Sequence, residues 1–242
     1  MSVDIRSKAF GSGAARRDVI RGLRFSAGPG EVLALVGPSG CGKTTTLRTV
    51  AGLDRDFEGS VVLPTGSRGH EPVVSFVFQE PRLLPWRTVR ENVEIVLPRA
   101  LRGAGRTDEA LRDVGLDGAG GLFPGELSGG MQRRVALARA FVTEPDLLLL
   151  VEPIVSLDEA AAGRLRALLA AMLARRRITT LLVTHDLREA AELADRIVLL
   201  SGPPARVLET LSVPSERGRR SHEMIEGFRR RMIEEGSNAP GS

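Results

Sequence analysis

Five short segments of this chain are apolar or β-branched at nearly every position, and they are separated by stretches with helical periodicity. Residues 32 to 36 read Val-Leu-Ala-Leu-Val. An unbroken apolar run of that length fits a strand buried on both faces rather than one with a wet side. Residues 73 to 78, 147 to 151, 179 to 184 and 196 to 200 repeat the pattern, rich in Val, Leu, Thr and Phe. Residues 44 to 51 read as a helix that stops at Gly52. Residues 159 to 177 carry apolar side chains at 165, 168, 169, 172 and 173, the spacing of an amphipathic helix. A further helix over 187 to 194 separates the last two strands. Strands alternating with helices predict an α/β fold whose mainly parallel sheet is covered on both faces.

Between about 80 and 143 the texture changes to helical segments broken by Pro81, Pro85, Pro98, Gly103, Gly105 and a Gly/Pro cluster at 115 to 125. This predicts an inserted helical lobe, with the sheet-bearing core formed by about 1 to 79 and 144 to 212. After Pro203 the chain turns polar and arginine-rich, so residues 216 to 242 are expected to be a tail with one helix near 221 to 235. No long internal repeat is present.

The 242 residues suffice for one large domain, or one domain with an inserted lobe. No segment approaches the eighteen or so apolar residues a membrane span needs, and residues 1 to 10 lack the apolar core of a secretory signal. A cytosolic location is expected, with any membrane connection made through a partner. The single cysteine, Cys41, excludes an internal disulfide and a cysteine-based zinc cluster, and His70, His185 and His222 show no metal-ligand spacing. A net charge of +4 fits a solvated basic surface, and no nucleic-acid partner is expected. Of the 34 basic residues only Lys8 and Lys43 are lysines, which sets apart a lysine inside a glycine-rich turn.

That turn holds the clearest chemistry. Gly37, Pro38, Ser39, Gly40, Cys41, Gly42, Lys43 and Thr44 match the Walker A pattern G-x-x-x-x-G-K-[ST], after a buried strand and before a helix. Glycines let the backbone curl so that successive N–H groups point at phosphate oxygens, and the helix N-terminus adds partial positive charge. Lys43 would reach the β- and γ-phosphates of ATP, with Thr45 beside the loop, and the Thr44 hydroxyl would bind Mg²⁺. Cys41 allows two readings: a thiol activated by the helix start, or a small residue whose backbone matters more than its sulfur.

A phosphate loop leaves many NTPases open. Leu127, Ser128, Gly129, Gly130, Met131, Gln132, Arg133 and Arg134 narrow the field, because this run resembles the signature sequence of ATP-binding-cassette ATPases. The resemblance spans about residues 3 to 215. It implies a P-loop NTPase (RecA-like) core with antiparallel N-terminal strands and a helical subdomain. It also implies a dimer, of two identical cassettes or two different ones, in which Ser128, Gly129, Gly130 and Gln132 of one subunit cap ATP held by the other. Gln79 resembles the glutamine that touches Mg²⁺ and couples to a permease. His185 resembles the switch histidine at the γ-phosphate, and Asp158 the aspartate that crosses to the partner. Phe10 resembles the aromatic that stacks on adenine, although a lone Phe also suits a core. Residues 79 to 89, Gln-Glu-Pro-Arg-Leu-Leu-Pro-Trp-Arg-Thr-Val, resemble the subfamily serving nitrate, sulfonate, taurine and bicarbonate importers. This implies transmembrane permease subunits, an extracytoplasmic solute-binding protein, and a peripheral position on the cytoplasmic face of the inner membrane. Trp86 is then either a permease anchor or a buried residue of the lobe.

One position departs from the family pattern. The strand 147 to 151 should end in aspartate followed by glutamate, yet it reads Leu-Leu-Leu-Leu-Val before Glu152. Glu152, the residue that would polarise the attacking water, is present. Val151 replaces the carboxylate that holds Mg²⁺, so ATP binding is expected to persist and hydrolysis to weaken. A hydrolysis-impaired regulatory nucleotide binder is the alternative this opens.

Overall fold

A computed structural model describes residues 1–66, 71–103, 105–154, 158–214, 220, 223–227 and 230. Near the N-terminus, β1 (Ser2–Phe10), β2 (Arg17–Ser26) and β4 (Glu58–Val62) form a three-stranded antiparallel sheet in the order β2-β1-β4. The apolar runs build a second sheet from β3 (Val32–Val36), β5 (Val74–Val77), β6 (Leu147–Val151), β7 (Thr179–Thr184) and β8 (Arg196–Leu200). With β9 (Val207–Ser212) at its edge, its order is β5-β6-β7-β3-β8-β9, parallel throughout except for β9.

Every residue of β3, β6 and β7 is buried, as continuous apolar runs require of central parallel strands. Alternate side chains feed two cores. Leu33, Leu35, Leu147, Leu149 and Leu181 face one that is completed by Leu47 and Val50 of α1 (Lys43–Val50) and by Ile5, Ile20 and Leu23 of the antiparallel sheet. Val32, Ala34, Leu148, Leu150 and Leu182 face the other. That core takes in α2 (Val89–Glu94), α3 (Arg106–Asp113), α4 (Gly129–Phe141), α5 (Glu159–Arg176) and α6 (Leu187–Leu193).

Local chemistry sets the helix limits. Thr88 and Glu91 form a reciprocal capping box at the start of α2. Asp158 caps α5 by accepting from Ala161 N at 2.9 Å, and Arg177 ends that helix in the left-handed conformation at φ 48°.

Three features differ from the expectations. The expected strand 73 to 78 is trimmed to Val74–Val77, and the helix expected at 44 begins one residue earlier at Lys43. More substantively, residues 207 to 212, expected within the core but not as a strand, form β9. Its Val-Leu-Glu-Thr-Leu-Ser alternates half-buried and exposed positions, as an edge strand with one wet face does, and so lacks a continuous apolar run. Of the helix expected at 221 to 235, residues 223–227 and 230 are helical; its other residues lie outside the described ones, as do His70 and His222. Among the described residues no helix is long and apolar enough to cross a membrane.

Candidate functional site

In-register parallel pairing decides where the chemistry collects. Val36 pairs with Thr184, Val151 with Val183, and Val77 with Leu150, so β3, β5, β6 and β7 finish at one end of the sheet. The loops leaving them carry residues 37 to 42, Gln79, Glu152 and His185. Open α/β sheets bind ligands beyond the carboxyl ends of their strands. Here that end holds a cleft of ≈ 630 Å³. It is lined by nine of the residues singled out in the sequence: Phe10, Ser39, Gly40, Gly42, Lys43, Thr44, Thr45, Gln79 and Glu152.

The glycine-rich turn is built to leave amides free. Gly42 sits at φ 108°, and a Cβ there would lie 3.0 Å from Val19 Cγ1, so no other residue fits without strain. It starts α1, and its carbonyl accepts from Thr46 N at 2.8 Å and Thr46 Oγ1 at 3.0 Å. The first-turn N–H groups of the helix have no intrahelical acceptor and face the positive end of the helix dipole. Lys43, only 6% exposed, donates from Nζ to Gly37 O at 2.7 Å and Pro38 O at 2.8 Å. Cys41 is fully buried beneath the turn, in one apolar cluster with Val151. Its burial speaks against an accessible reactive thiol and for the small residue. Gly37 backs onto Leu200, where a Cβ would come within 3.0 Å.

Glu152 follows the buried Val151 and adopts a left-handed conformation at φ 42°, which for a non-glycine residue costs about 1–3 kcal/mol. Two bonds hold it: its N–H donates to Val183 O at 2.8 Å, and its Oε1 lies 3.0 Å from His185 Nδ1. His185 remains exposed at the mouth of this pair.

The turn bearing His185 is braced from beneath by a residue the sequence reading passed over. Thr184 Oγ1 donates to Glu189 Oε2 and accepts from Asp186 N at 3.0 Å. Glu189 is buried, which pushes its pKa up to about 8; the Thr184 hydrogen bond and Arg166 oppose the shift, while the Asp186 and Glu152 charges add to it.

Two arginines of α4 brace other loops. Arg133 Nη1 donates to Gln79 O at 2.9 Å and Pro153 O at 3.3 Å, and Arg139 donates to Pro81 O at 2.7 Å and Arg82 O at 3.0 Å. The helix thereby grips the segments after both β5 and β6.

Gly37, Pro38, Cys41 and His185 adjoin the cleft without being among its lining residues, and Ser128, Gly129, Gly130, Gln132 and Asp158 stand apart from it. Ser128 caps α4, its Oγ accepting from Met131 N at 3.3 Å, and Ser128 and Gly129 are exposed with Gly130 half-buried. Gln132 donates to Pro124 O at 3.0 Å and Leu127 O at 3.4 Å, bracing the approach to the helix. Asp158 caps α5; Val155, Ser156 and Leu157 before it lie outside the described residues. Phe10 is 49% exposed and therefore is not a core residue. Trp86 is 71% exposed, which removes the buried reading. Conversely, Arg17, Val19 and Pro203 line the cleft without having been singled out. Arg17 enters because β1–β2 pairing sets it opposite Phe10, a register that includes a bulge at Lys8/Ala9 and is not visible in the one-dimensional pattern.

A parallel sheet with this turn, lysine and threonine at its carboxyl end defines a P-loop NTPase. Residues 20–155 match the sequence profile described as ABC transporter, and the chain belongs to the ABC transporter family. It is similar to the "Aliphatic sulfonates import ATP-binding protein SsuB 1" of Pseudomonas aeruginosa (strain UCBPP-PA14), 46% identical over 208 residues and 83% of each chain. The SsuB protein of Bacillus licheniformis is 38% identical over 242 residues, 97% of this chain and 93% of that one. Among solved structures, the dimeric MJ0796, a bacterial ABC transporter cassette, superposes with a TM-score of 0.74 at 26% identity, covering 88% of this chain and 99% of that one. Its dimeric post-hydrolysis state bound to ADP and Pi gives 0.73 at 25%. These relatives place the chain among the ABC ATPases.

Glu189 makes a pH-dependent prediction. Its folded pKa of about 8 exceeds the 4.5 of a free glutamate, so the folded state holds a proton that the unfolded state gives up. Its contribution to stability is full below about pH 4.5 and is lost as pH rises toward 8. Glu189→Gln, which keeps an acceptor for Thr184, should therefore gain stability over the unmodified chain by on the order of 2 kcal/mol between pH 5 and pH 8. Urea unfolding of both chains at the two pH values measures this; a constant difference would show that Glu189 is ionised throughout.

Proposed function

We propose that this chain is the ATP-binding subunit of an importer, coupling ATP binding and hydrolysis to the entry of a small anion through a partner permease. The single observation that carries this reading is the cleft that unites the phosphate turn and Lys43 with Gln79 and Glu152. In it, backbone amides at the start of α1 and the Lys43 ammonium bind the triphosphate, exchanging the Gly37 and Pro38 carbonyls for phosphate oxygens. Phe10 stacks on the base. Glu152, held by His185, orients the attacking water, and His185 contacts the γ-phosphate. Ser128 and Gly129 stand exposed and Gly130 half-buried at a helix start, available to cap ATP bound to a second cassette, identical or different. Gln132 supports that cap by fixing the turn before it, and Asp158 stands at the crossing between subunits.

Thr44 and Gln79 bring oxygen donors to the same cleft and fit a magnesium ion. Bound there, the ion neutralises charge that builds up on the phosphates during transfer.

The names of the relatives make aliphatic sulfonates the first solute class to consider; the segment around Trp86 extends the resemblance to nitrate, taurine and bicarbonate importers. Residues from about 80 to 143 act as the helical subdomain between the two parts of the core. They expose Trp86, Ile95, Val96, Leu122 and Phe123, apolar surface suited to a permease. The subunit then works on the cytoplasmic face of the membrane, with a solute-binding protein on the other side.

A second reading, a regulatory nucleotide binder with little turnover, is favoured by one observation. Val151 is 6% exposed in an apolar cluster and offers the ion no oxygen where a carboxylate is expected.

One experiment tests the composite site and a second separates the two readings. Ser128→Glu sets a carboxylate against the partner's γ-phosphate, so ATP-dependent dimerisation in size-exclusion chromatography should be lost while affinity of the monomer for ATP is unchanged; a normal dimer would remove Ser128 from the composite site. Mg²⁺-dependent ATP hydrolysis should rise at least about tenfold in Val151→Asp, consistent with a metal anchor worth about 10–100-fold. Equal rates in the two chains would show the missing carboxylate to be immaterial, and brisk turnover by the unmodified chain would eliminate the regulatory reading.

A further inference from the structure

Of the chain's two lysines, Lys43 lines the cleft and Lys8 packs behind one of its lining residues, Phe10. Lys8 lies in β1, two residues before Phe10, and is 3% exposed. Its Nζ sits 4.6 Å from the centroid of the Phe10 ring. The same ammonium donates to Asp54 Oδ1 at 2.8 Å and to Asp56 O, and lies 3.4 Å from Asp56 Oδ2. A lysine so deeply buried is retained only when its charge is matched, and here two carboxylates and a carbonyl match it. Asp54 is in turn fixed to α1, because its N–H donates to Arg48 O at 3.2 Å. A continuous path therefore runs from the helix that opens at the phosphate turn, through Asp54 and Lys8, to the aromatic ring at the cleft wall.

Phe10 needs such support. It is half exposed, has no polar atom to anchor it, and would otherwise lose rotational freedom whenever a ligand packed on it. A cation over one face of a ring fixes its orientation and draws electron density toward itself. The opposite face becomes less negative, which suits offset stacking of a purine.

We propose that Lys8 is a positioning residue for base recognition: it holds the Phe10 ring in the orientation that stacks on the nucleotide base and ties that ring to the exit of α1 through Asp54. The proposal rests on the reading of the cleft as an ATP site. It assigns Lys8 no contact with phosphate, and this sets its effect apart from that of Lys43.

The test titrates the full chain with ATP and, separately, with inorganic tripolyphosphate, which carries the phosphates and no base. Lys8→Met should weaken ATP about three- to tenfold, the range set by the freedom of one unrestrained side chain, and leave tripolyphosphate within about twofold. Lys8→Arg, which keeps a cation over the ring, should recover most of the lost ATP affinity. Adding Lys8→Met to Phe10→Ala should cost nothing further, because the ring through which Lys8 acts is gone. Should Lys8→Met fail to fold, Lys8→Gln keeps a donor for Asp54 while removing the charge and carries the same expectation. An equal loss for both ligands would overturn the proposal, reducing Lys8 to a brace of the whole fold, and so would no loss for either. If the unmodified chain binds tripolyphosphate and ATP equally well, base recognition fails while the phosphate site stands; if it binds neither, the ATP-site reading itself falls.

Discussion

The register of four parallel strands is the constraint on which the rest of this molecule depends. β5, β6, β7 and β3 are hydrogen-bonded neighbours that end together, so four loops distant in sequence open on the same side. A slip of one residue in any pair would move that strand's buried side chains to the wrong face, and both cores forbid it. The same burial that makes β3 and β6 uniformly apolar therefore places Gly42, Lys43, Gln79 and Glu152 around one cleft.

On that frame the site combines order with readiness to change. Lys43 is satisfied by carbonyls of its own turn and Glu152 is held in a costly backbone conformation by His185 and Val183. Both arrangements can exchange internal partners for a ligand. Arg133 and Arg139 extend from α4 to the loops after β5 and β6, so a shift of the helix that begins at Ser128 is felt by Gln79 and by the turn following Glu152. Val151, at the end of β6, packs in one cluster with Cys41 and the leucines of the core.

Much of this was legible before any coordinates. The runs at 32 to 36, 147 to 151 and 179 to 184 became strands with those limits because burial on both faces leaves no polar position to blur them. The phosphate turn was legible because its chemistry is local. What escaped the sequence depends on pairing or on long-range packing. β9 alternates and lies at an edge, so it lacks the continuous apolar run that marks the other strands of its sheet. Arg17 reaches the cleft through a bulged hairpin register. Glu189 is an ordinary helical glutamate until α6 packs it against Thr184, and the arginines of α4 look like surface charge until loops from elsewhere in the chain settle on them. Trp86 was balanced between a buried and an exposed place, and Phe10, read as the stacking aromatic, also suited a core; three-dimensional burial decides such cases.

The most direct measurement is a calorimetric titration of the purified full chain with ATP, set beside the same titration of Lys43→Ala. Saturable binding near one ATP per chain, weakened roughly a hundredfold or more by the substitution, is the expected result, since removing a charge partner from a desolvated phosphate costs several kcal/mol. Absence of binding, or an affinity indifferent to Lys43, would contradict the assignment of the cleft.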